Sequence, residues 1–309
     1  MGILVVGSVA LDSIKSPFGS KDDVLGGAAT YFSIAASYFT DVSIVAVVGD
    51  DFPEEHAGLL RQKGIDLSGL ERRPGKTFRW KGEYGPDLNT RTTLDTQLNV
   101  FADFSPKLLP PHRTKDYLFL GNIGPDLQRS VFEQMKRPML VGCDTMNYWI
   151  ENQRESLLKT LLLIDLLVIN DSEARELANE ANLIRAARRI LSWGPKTLVI
   201  KRGEYGACMF GSESIFIVPA FPVEEVLDPT GAGDSFAGGM MGYLAATGLH
   251  DDAAIRRAVV FGSVMASFNV MDFGPHSLSN LTYPEIVSRY REFRKICFFE
   301  DMLLKTPRL

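Results

Sequence analysis

Residues 166–200, LLVINDSEARELANEANLIRAARRILSWGPKTLVI, hold two short apolar runs, Leu166–Ile169 and Thr197–Ile200, on either side of a segment with helical spacing, Glu173–Leu191. A short continuous apolar run is typical of a strand that is buried on both faces. Two parallel strands need a long connection between them, which is usually a helix. A helix between two strands therefore indicates that the strands are parallel. The stretch therefore predicts a β-α-β unit.

The same alternation extends along the chain. Further apolar runs lie at Ile3–Val6, Val42–Val48, Tyr117–Leu120 and Met139–Cys143. Segments with helical spacing lie at Ala28–Tyr38, Glu54–Lys63, Asp126–Met135 and Ser156–Leu163. Strand alternating with helix predicts an α/β fold with a doubly wound, mostly parallel sheet and helices on both faces. The loops that follow the strands then lie at one edge of the sheet, where ligands bind.

Two segments depart from this alternation. Residues 11–24 are polar without helical spacing, and residues 77–100 (TFRWKGEYGPDLNTRTTLDTQLNV) are rich in Thr and aromatic residues around a Gly-Pro-Asp turn. The second segment is typical of one or two hairpins. Such inserted strands predict a small β-appendage to a single domain that spans residues 1–309. The C-terminal third turns helical, at Gly233–Thr247, Asp251–Asn269 and Tyr283–Arg294.

Composition and charge argue against several classes of partner. The net charge is −5, from 33 basic and 38 acidic residues, and gives no basic footprint for nucleic acid. The apolar stretch 157–169 contains Lys159 and Asp165 and is too short to span a bilayer. The cysteines, Cys143, Cys208 and Cys297, are scattered and odd in number, as expected for free thiols in a reducing compartment. We expect a cytoplasmic protein with no membrane or nucleic-acid partner.

The segment DPTGAGDSFAGG, residues 228–239, carries the pattern that most directly indicates a catalytic site. A turn with two glycines runs directly into a helix, whose first N–H groups and positive dipole end form an anion site. Asp234 would repel a phosphate there unless it takes part in a reaction. Removing the proton from a hydroxyl that attacks a phosphoryl group is such a part. The turn alone leaves open that Asp234 is only a first-turn or capping aspartate.

This segment resembles the C-terminal signature of the ribokinase-like (PfkB) family of carbohydrate and nucleoside kinases. Three other motifs follow in the family's order: Gly26-Gly27-Ala28-Ala29 resembles its Gly-Gly motif, Asn170-Asp171-Ser172-Glu173 its N-x-x-E motif, and KRGEYG at 201–206 its K-x-G-x-x-G stretch. The resemblance covers nearly the whole chain and implies a ribokinase-like fold. Segments 11–25 and 77–100 would form a β-sheet lid that closes over the substrate and often pairs subunits into a homodimer.

The resemblance also implies catalytic and metal-binding roles. Asp234 would be the general base for a phosphoryl transfer from ATP. The anion hole would consist of the backbone amides of Gly231, Ala232 and Gly233. The residues that organise Mg²⁺ would be Asn170 and Glu173. In several members a residue that matches Asp228 helps to hold a monovalent cation, such as K⁺, beside the anion hole.

Binding residues follow from the same matches. The nucleotide would lie along Lys201, Gly203, Gly206 and Thr230. The hydroxyls of the small-molecule substrate would be bound by Asp12, Gly26 and Gly27. Carboxylate and amide groups suit a polyhydroxylated ligand, because the carboxylate accepts from two neighbouring hydroxyls while glycine amides donate.

Some positions depart from the family or stay open. Tyr31 stands where the family's sugar site commonly has Asn, so its ring either stacks on a base or packs in the core. Asn122 occupies a strand end where several sugar kinases carry an acidic group. Arg91, in the expected lid, either contacts the substrate or is simply solvated. Asp144 and Asn147 follow a strand at the ligand edge, where either can line the pocket or Asp144 can cap the next helix.

These observations predict an ATP-dependent kinase that phosphorylates a hydroxyl of a small sugar or related polyol. A nucleoside kinase of the same family is the first alternative. A catalytically silent sugar-binding homologue is the second, although such a protein has no need to keep Asp234. A nucleotide-binding oxidoreductase is disfavoured because the G-x-G-x-x-G fingerprint is missing from the sequence.

Overall fold

The computed structural model describes residues 1–211 and 214–300. The strands are β1 (Gly2–Val6), β2 (Ala10–Ser16), β3 (Gly19–Gly26), β4 (Asp41–Gly49), β5 (Asp66–Arg73), β6 (Phe78–Tyr84), β7 (Arg91–Gln97), β8 (Tyr117–Leu120), β9 (Leu140–Cys143), β10 (Leu166–Asn170), β11 (Thr197–Lys201), β12 (Ala207–Phe210) and β13 (Ile215–Val218). The helices are α1 (Ala28–Ser37), α2 (Glu54–Gln62), α3 (Pro125–Gln134), α4 (Asn147–Asn152), α5 (Arg154–Leu161), α6 (Asp171–Ala178), α7 (Leu183–Leu191), α8 (Ala232–Thr247), α9 (Asp252–Asn269), α10 (His276–Ser279) and α11 (Tyr283–Ile296).

The larger sheet has the strand order β13-β12-β11-β10-β9-β8-β1-β4-β5. All neighbouring pairs from β11 to β5 are parallel. Only β12 runs against its neighbours β11 and β13 among the strands described. The predicted doubly wound, mostly parallel sheet is therefore confirmed. Later strands join β1 on both of its sides, and ligand sites form in the crevice at the carboxyl end of such a switch point.

The core lies on both faces of this sheet. Successive side chains of a strand point to opposite faces, so Ile3 and Val5 of β1 enter one core with residues of α1, α8 and α9. Leu4 and Val6 enter the other core, with residues of α3, α5, α6 and α7. Among the helices described, none combines the length and the apolar character that crossing a bilayer would require.

The two departing segments form one separate sheet. Its order is β3-β2-β6-β7, with hairpins β2–β3 and β6–β7 joined through a parallel pairing of β2 with β6. The expected strands in 11–25 and 77–100 are thus confirmed, and residues 77–100 supply a single hairpin. Because β2 begins only a few residues after β1 ends, this small sheet lies beside the carboxyl edge of the larger one.

One predicted helix is wrong in its extent. Segment 173–191 forms two helices, α6 and α7, because Asn179 adopts the left-handed conformation (φ 46°) and ends α6. Asn is among the non-glycine residues that adopt this conformation most readily. The side chain of Asn182 then caps α7 by accepting from the N–H groups of Ile184 and Arg185. Local turn chemistry overrides the helical spacing here.

Three strands were not predicted from the sequence. Strand β5 reads DLSGLERR and lacks an apolar run, since it is a partly exposed edge strand. Strands β12 and β13 form an antiparallel extension at the other edge, where β13 exposes Ile215 and Ile217. Strands β5 and β13 are edge strands with one partner only, so burial leaves a weaker pattern in their sequence.

Candidate active site

Asp228 anchors the turn that precedes α8. Its buried carboxylate accepts hydrogen bonds from the N–H groups of Thr230 (2.8 Å) and Gly274 (3.1 Å). Burial raises the pKa of Asp228, and these bonds oppose the rise. The Thr230 carbonyl accepts from the Nδ2 of Asn269 at the end of α9 (2.7 Å). The turn is therefore stabilised by hydrogen bonds to one of its own side chains, Asp228, and from Asn269 at the end of α9.

Glycine is required where the turn enters the helix. Gly231 has φ 76° and is the N-cap of α8. A Cβ at this position would lie 2.3–2.4 Å from ring carbons of Tyr31. The N–H of Ala232 donates to the Pro229 carbonyl (3.1 Å), whereas the N–H groups of Gly231 and Gly233 form no hydrogen bond among the residues described. We call residues 228–233 the anion-hole turn, after the role expected for it; its two open donors are what an anion site requires.

Asp234 lies in the first turn of α8 without capping it, because no side chain caps this helix. The pKa of Asp234 is raised to about 7: burial is the largest cause and the Asp144 charge adds to the rise, whereas Lys201 and Arg91 oppose it. A carboxylate that titrates near neutral pH is suited to accept a proton from a hydroxyl. The geometry thus disfavours the capping interpretation.

Lys201, at the end of β11, places a positive charge beside the turn that precedes Asp234. A Cβ on Gly233 would lie 2.7 Å from its Nζ, so the ammonium group sits against the anion-hole turn. Burial lowers the pKa of Lys201, but Asp144, Glu173 and Asp234 outweigh it and the net shift is upward. The lysine therefore stays charged in a cluster of three carboxyl groups.

The N-x-x-E motif forms a capping box at the start of α6. The Oδ1 of Asn170 accepts from the N–H of Glu173 (2.8 Å), and the Oε2 of Glu173 accepts from the N–H of Asn170 (2.8 Å). The pKa of Glu173 is raised to about 7, chiefly by burial and also by the Asp144 charge, while Lys201 opposes the rise. Within the described residues, no three His, Cys, Asp or Glu side chains form a metal cage. Any Mg²⁺ here would take most of its ligands from phosphates and water.

Asp12, on β2, lies against the Gly-Gly motif. A Cβ on Gly26 would lie 2.0 Å from its Oδ2, so only glycine fits there. Gly27, beside the same carboxylate, has φ 92°. The pKa of Asp12 is raised to about 7, chiefly by burial; the Gly27 backbone N–H opposes the rise, and the charges of Asp228 and Asp234 add to it. The charge of Asp234, the expected base, therefore acts on Asp12, the carboxylate expected to bind the substrate.

The small sheet faces this cluster through β6 and β7. The Tyr84 hydroxyl is hydrogen-bonded to the Thr230 Oγ1 (3.0 Å). The Arg91 guanidinium lies over the Trp80 ring at 5.5 Å, and its charge lowers the pKa values of Glu173 and Asp234. The small sheet therefore contacts the anion-hole turn directly.

The glycines of the K-x-G-x-x-G stretch lie in the turn between β11 and β12. Gly203 has φ 54° and Gly206 has φ 86°, both in the region that favours glycine. A Cβ on Gly206 would lie 2.1 Å from the Val218 carbonyl oxygen. Asn89, at the tip of the β6–β7 hairpin, donates to Glu204 in this turn (3.1 Å). The hairpin tip thus reaches the strand-end loop expected to border the nucleotide.

Two predicted residues are engaged with other parts of the protein in the ligand-free structure. Asn122 follows β8 at the same edge, but its Oδ1 accepts from the Trp149 Nε1 (2.9 Å) and its Nδ2 donates to the Met146 Sδ (3.0 Å). Tyr31 is 1 % exposed and has Gly231 against its ring. The ring thus packs in the interior, against the turn that precedes α8.

Asp144, for which the sequence leaves open a place in the pocket or a helix cap, directly follows β9 and does not cap α4, whose N-cap is Met146. Its charge raises the pKa of Asp234. Two other residues of the site were not singled out from the sequence. Tyr84 and Asn269 bind Thr230 from the small sheet and from α9. Only the packing of distant segments reveals them.

The raised pKa of Asp234 gives a testable dependence of stability on pH. Its folded-state pKa is about 7, whereas an unfolded Asp titrates near ~4. Between these values the folded chain holds a proton that the unfolded chain has lost, so this group's contribution to the free energy of unfolding falls as pH rises. Relative to that of Asp234→Asn, the Tm of the ligand-free wild type should therefore fall steadily as the pH rises from about 4 to about 7 and should fall no further above that. A difference in Tm that does not change with pH would contradict the assignment.

Comparisons with known proteins show the family to which the chain belongs. The model of the pfkB family carbohydrate kinases matches residues 19–279. A cytidine kinase of Thermococcus kodakarensis is 30% identical over 251 residues, which cover 79% of this chain and 88% of the relative.

A putative ribokinase II of E. coli, solved with ATP and Mg²⁺, superposes with a TM-score of 0.77 at 20% identity, covering 94% of this chain and 99% of that one. A fructokinase double mutant of Vibrio cholerae, solved with fructose, ADP and a potassium ion, gives 0.76 at 19% identity, covering 94% and 98%. This chain belongs to the pfkB family of carbohydrate kinases and is a sugar or nucleoside kinase.

Proposed function

We propose that this chain transfers the γ-phosphoryl group of ATP to a hydroxyl of a small sugar or related polyol, with Asp234 as the general base. One observation carries the proposal: a carboxyl group with a pKa of about 7 lies in the first turn of α8, next to open backbone donors. A proton acceptor and an anion site at one helix end are the two groups that an attacking hydroxyl and a transferring phosphoryl require.

The anion hole is proposed to consist of the backbone amides of residues 231–233. The amides of Gly231 and Gly233 are the stronger candidates, since Ala232 also donates to Pro229. The Lys201 ammonium lies beside Gly233 and adds a positive charge where negative charge spreads over the transferring group. Amides that are fixed by the turn need no reorganisation during the reaction.

ATP and Mg²⁺ are the proposed cosubstrate and metal. Glu173 is a buried carboxyl group beside Asp144, and a divalent cation nearby would offset the repulsion between them. Asn170 positions Glu173 through the capping box and would orient water on the metal. When bound, Mg²⁺ neutralises phosphate charge. These residues therefore fit a metal that is held mainly by phosphates.

The remaining nucleotide and cation roles follow from position. Gly203, Gly206 and Thr230 would border the nucleotide, because the β11–β12 turn and the anion-hole turn lie at the same sheet edge as Lys201. Asp228 would help to hold a monovalent cation such as K⁺. A buried carboxylate with a raised pKa would gain from a neighbouring cation.

The acceptor is proposed to bind between Asp12 and Asp234. The Asp12 carboxylate would accept from two hydroxyls, and the Gly26-Gly27 backbone lies against it. The small sheet would act as a lid that excludes water, with Arg91 facing the phosphates or the substrate. Asn122 would line the outer pocket beside Trp149. Edge strand β7, exposed along its whole length, would pair with its counterpart in a homodimer, and the compartment is expected to be the cytoplasm.

A nucleoside is the second candidate for the acceptor. The observation that favours it is the 30% identity to a cytidine kinase over most of both chains. A ribose carries the same pair of neighbouring hydroxyls that Asp12 would accept. A catalytically silent homologue is disfavoured, because the base, the glycine turn and Glu173 are all in place.

The experiment that tests the function is an ATP-consumption assay with a panel of sugars, polyols and nucleosides. We expect turnover with at least one unphosphorylated compound that carries neighbouring hydroxyls, and none with its counterpart that lacks them. A panel that stimulates no ATP use in the presence of Mg²⁺ and K⁺ would contradict the proposal.

Glu173→Gln should raise the Mg²⁺ concentration needed for half-maximal activity several-fold, with little change in the KM of the acceptor. Gln preserves the capping box but removes the charge, so the helix stays intact while the metal loses a carboxylate. The measurement is a Mg²⁺ titration at saturating ATP. Glu285→Gln is a matched control, since Glu285 closes a capping box with Thr282 at the start of α11. Overlapping titrations of Glu173→Gln and wild type would rule out this role.

A further inference from the structure

Two tyrosines are among the largest fully buried side chains, and their hydroxyl groups differ in one respect. The hydroxyl of Tyr117 is hydrogen-bonded to the His250 Nε2 (2.7 Å) and donates to the Leu244 carbonyl (3.3 Å). The hydroxyl of Tyr31 has no hydrogen-bond partner among the described residues. A buried hydroxyl without a partner costs free energy, and phenylalanine would avoid that cost with the same ring.

The Tyr31 hydroxyl lies in the candidate site. Tyr31 belongs to the first turn of α1, and helical side chains point back toward the N-terminus of their helix, here Gly27 beside Asp12. Gly231 of the anion-hole turn lies against the ring carbons Cγ, Cδ1 and Cδ2. The ring is therefore wedged between the substrate motif and the turn at the base.

The groups around this hydroxyl are those proposed to handle the acceptor. Burial and the charges of Asp12, Asp228 and Asp234 raise the pKa of Tyr31 well above its usual range. The hydroxyl therefore keeps its proton and can donate. It forms no hydrogen bond to any of these carboxylates, although each would accept one. The partner for this donor is thus missing from the ligand-free protein.

We propose that the Tyr31 hydroxyl donates a hydrogen bond to an oxygen of the acceptor substrate and orients it between Asp12 and Asp234. The inference rests on the function proposed above and specifies its substrate class. The acceptor must carry an oxygen in addition to the hydroxyl pair at Asp12 and the hydroxyl that reacts. Opening of the lid, whose Tyr84 is a neighbour of Tyr31, would uncover the hydroxyl for the substrate.

The test compares Tyr31→Phe with Tyr117→Phe in the full chain. Each change removes one buried hydroxyl and keeps the ring. Ligand-free Tyr31→Phe should unfold at the wild-type Tm or about 2–4 °C above it, because an unpaired polar group is removed. Its kcat/KM for the acceptor should fall by about three- to tenfold, with the KM of ATP unchanged. Tyr117→Phe should show the reverse, a lower Tm with wild-type kcat/KM.

A series of monodeoxy acceptors identifies the oxygen. One deoxy compound should be a poorer substrate for the wild type but should lose no further activity with Tyr31→Phe, since the two deletions remove the same bond. Three results would overturn the inference: an unchanged kcat/KM of Tyr31→Phe, a fall in its Tm like that of Tyr117→Phe, or additive losses with every deoxy acceptor. A wild type that uses no acceptor would instead refute the proposed function, and with it this inference.

Discussion

Replacing Asp234 with Asn is expected to lower kcat by about 10²–10⁴-fold, the usual range for the loss of a general base. The amide has almost the same shape but cannot take the proton of the attacking hydroxyl. The Gly231 and Gly233 amides and Lys201 remain in place, so the affinity for ATP should change little. The measurements are steady-state turnover with the best acceptor and equilibrium binding of ATP.

The control for this variant is Asp251→Asn. Asp251 also carries a carboxylate at the start of a helix, where it accepts from the Ala254 N–H at 2.7 Å and caps α9. Asn caps a helix about as well as Asp, so stability and turnover should both stay near wild type. If Asp234→Asn also kept turnover within a few-fold of wild type, Asp234 would not be the base.

Replacing Gly231 with Ala is expected to slow phosphoryl transfer by about 10²–10³-fold, the cost of losing a donor from an anion hole. The backbone has φ 76°, and the new Cβ would lie 2.3 Å from the Cγ of Tyr31. Because the ring is buried and cannot move aside, the turn must shift and carry its N–H groups out of position. Single-turnover measurements with bound ATP isolate this step from product release.

Gly248→Ala is the matched control at the other end of the same helix. Gly248 has φ 67°, so alanine suffers a similar backbone strain there. Its Cβ would meet only the end of the Met1 side chain among the neighbours described, which can rotate away. The control should lose stability, by about 1 kcal/mol, and keep the transfer rate. Equal losses of rate in both variants would mean that strain in α8, and not the anion hole, causes the effect.

Much of the fold and part of the site follow from the order of residues alone. Runs such as Val42–Val48 and Leu166–Ile169 predict buried strands because a parallel sheet covered on both faces needs continuous apolar residues. The segment 228–239 predicts an anion site because glycines next to a helix start leave donors free. These properties are local, so no distant contact is needed to infer them.

One departure from the sequence prediction is local: Asn179 ends a helix that the spacing would continue, because its own left-handed conformation outweighs the periodicity. Other features depend on segments that are far apart in the chain. The cluster of Asp144, Glu173, Lys201 and Asp234 forms only when the ends of separate strands and α8 meet at one edge, and burial there raises the pKa of Asp234 to about 7. Desolvation is a property of the assembled site and cannot be deduced from any one segment. Likewise, the sequence leaves Tyr31 open between stacking and core packing, and the tertiary structure decides where its ring and its hydroxyl lie.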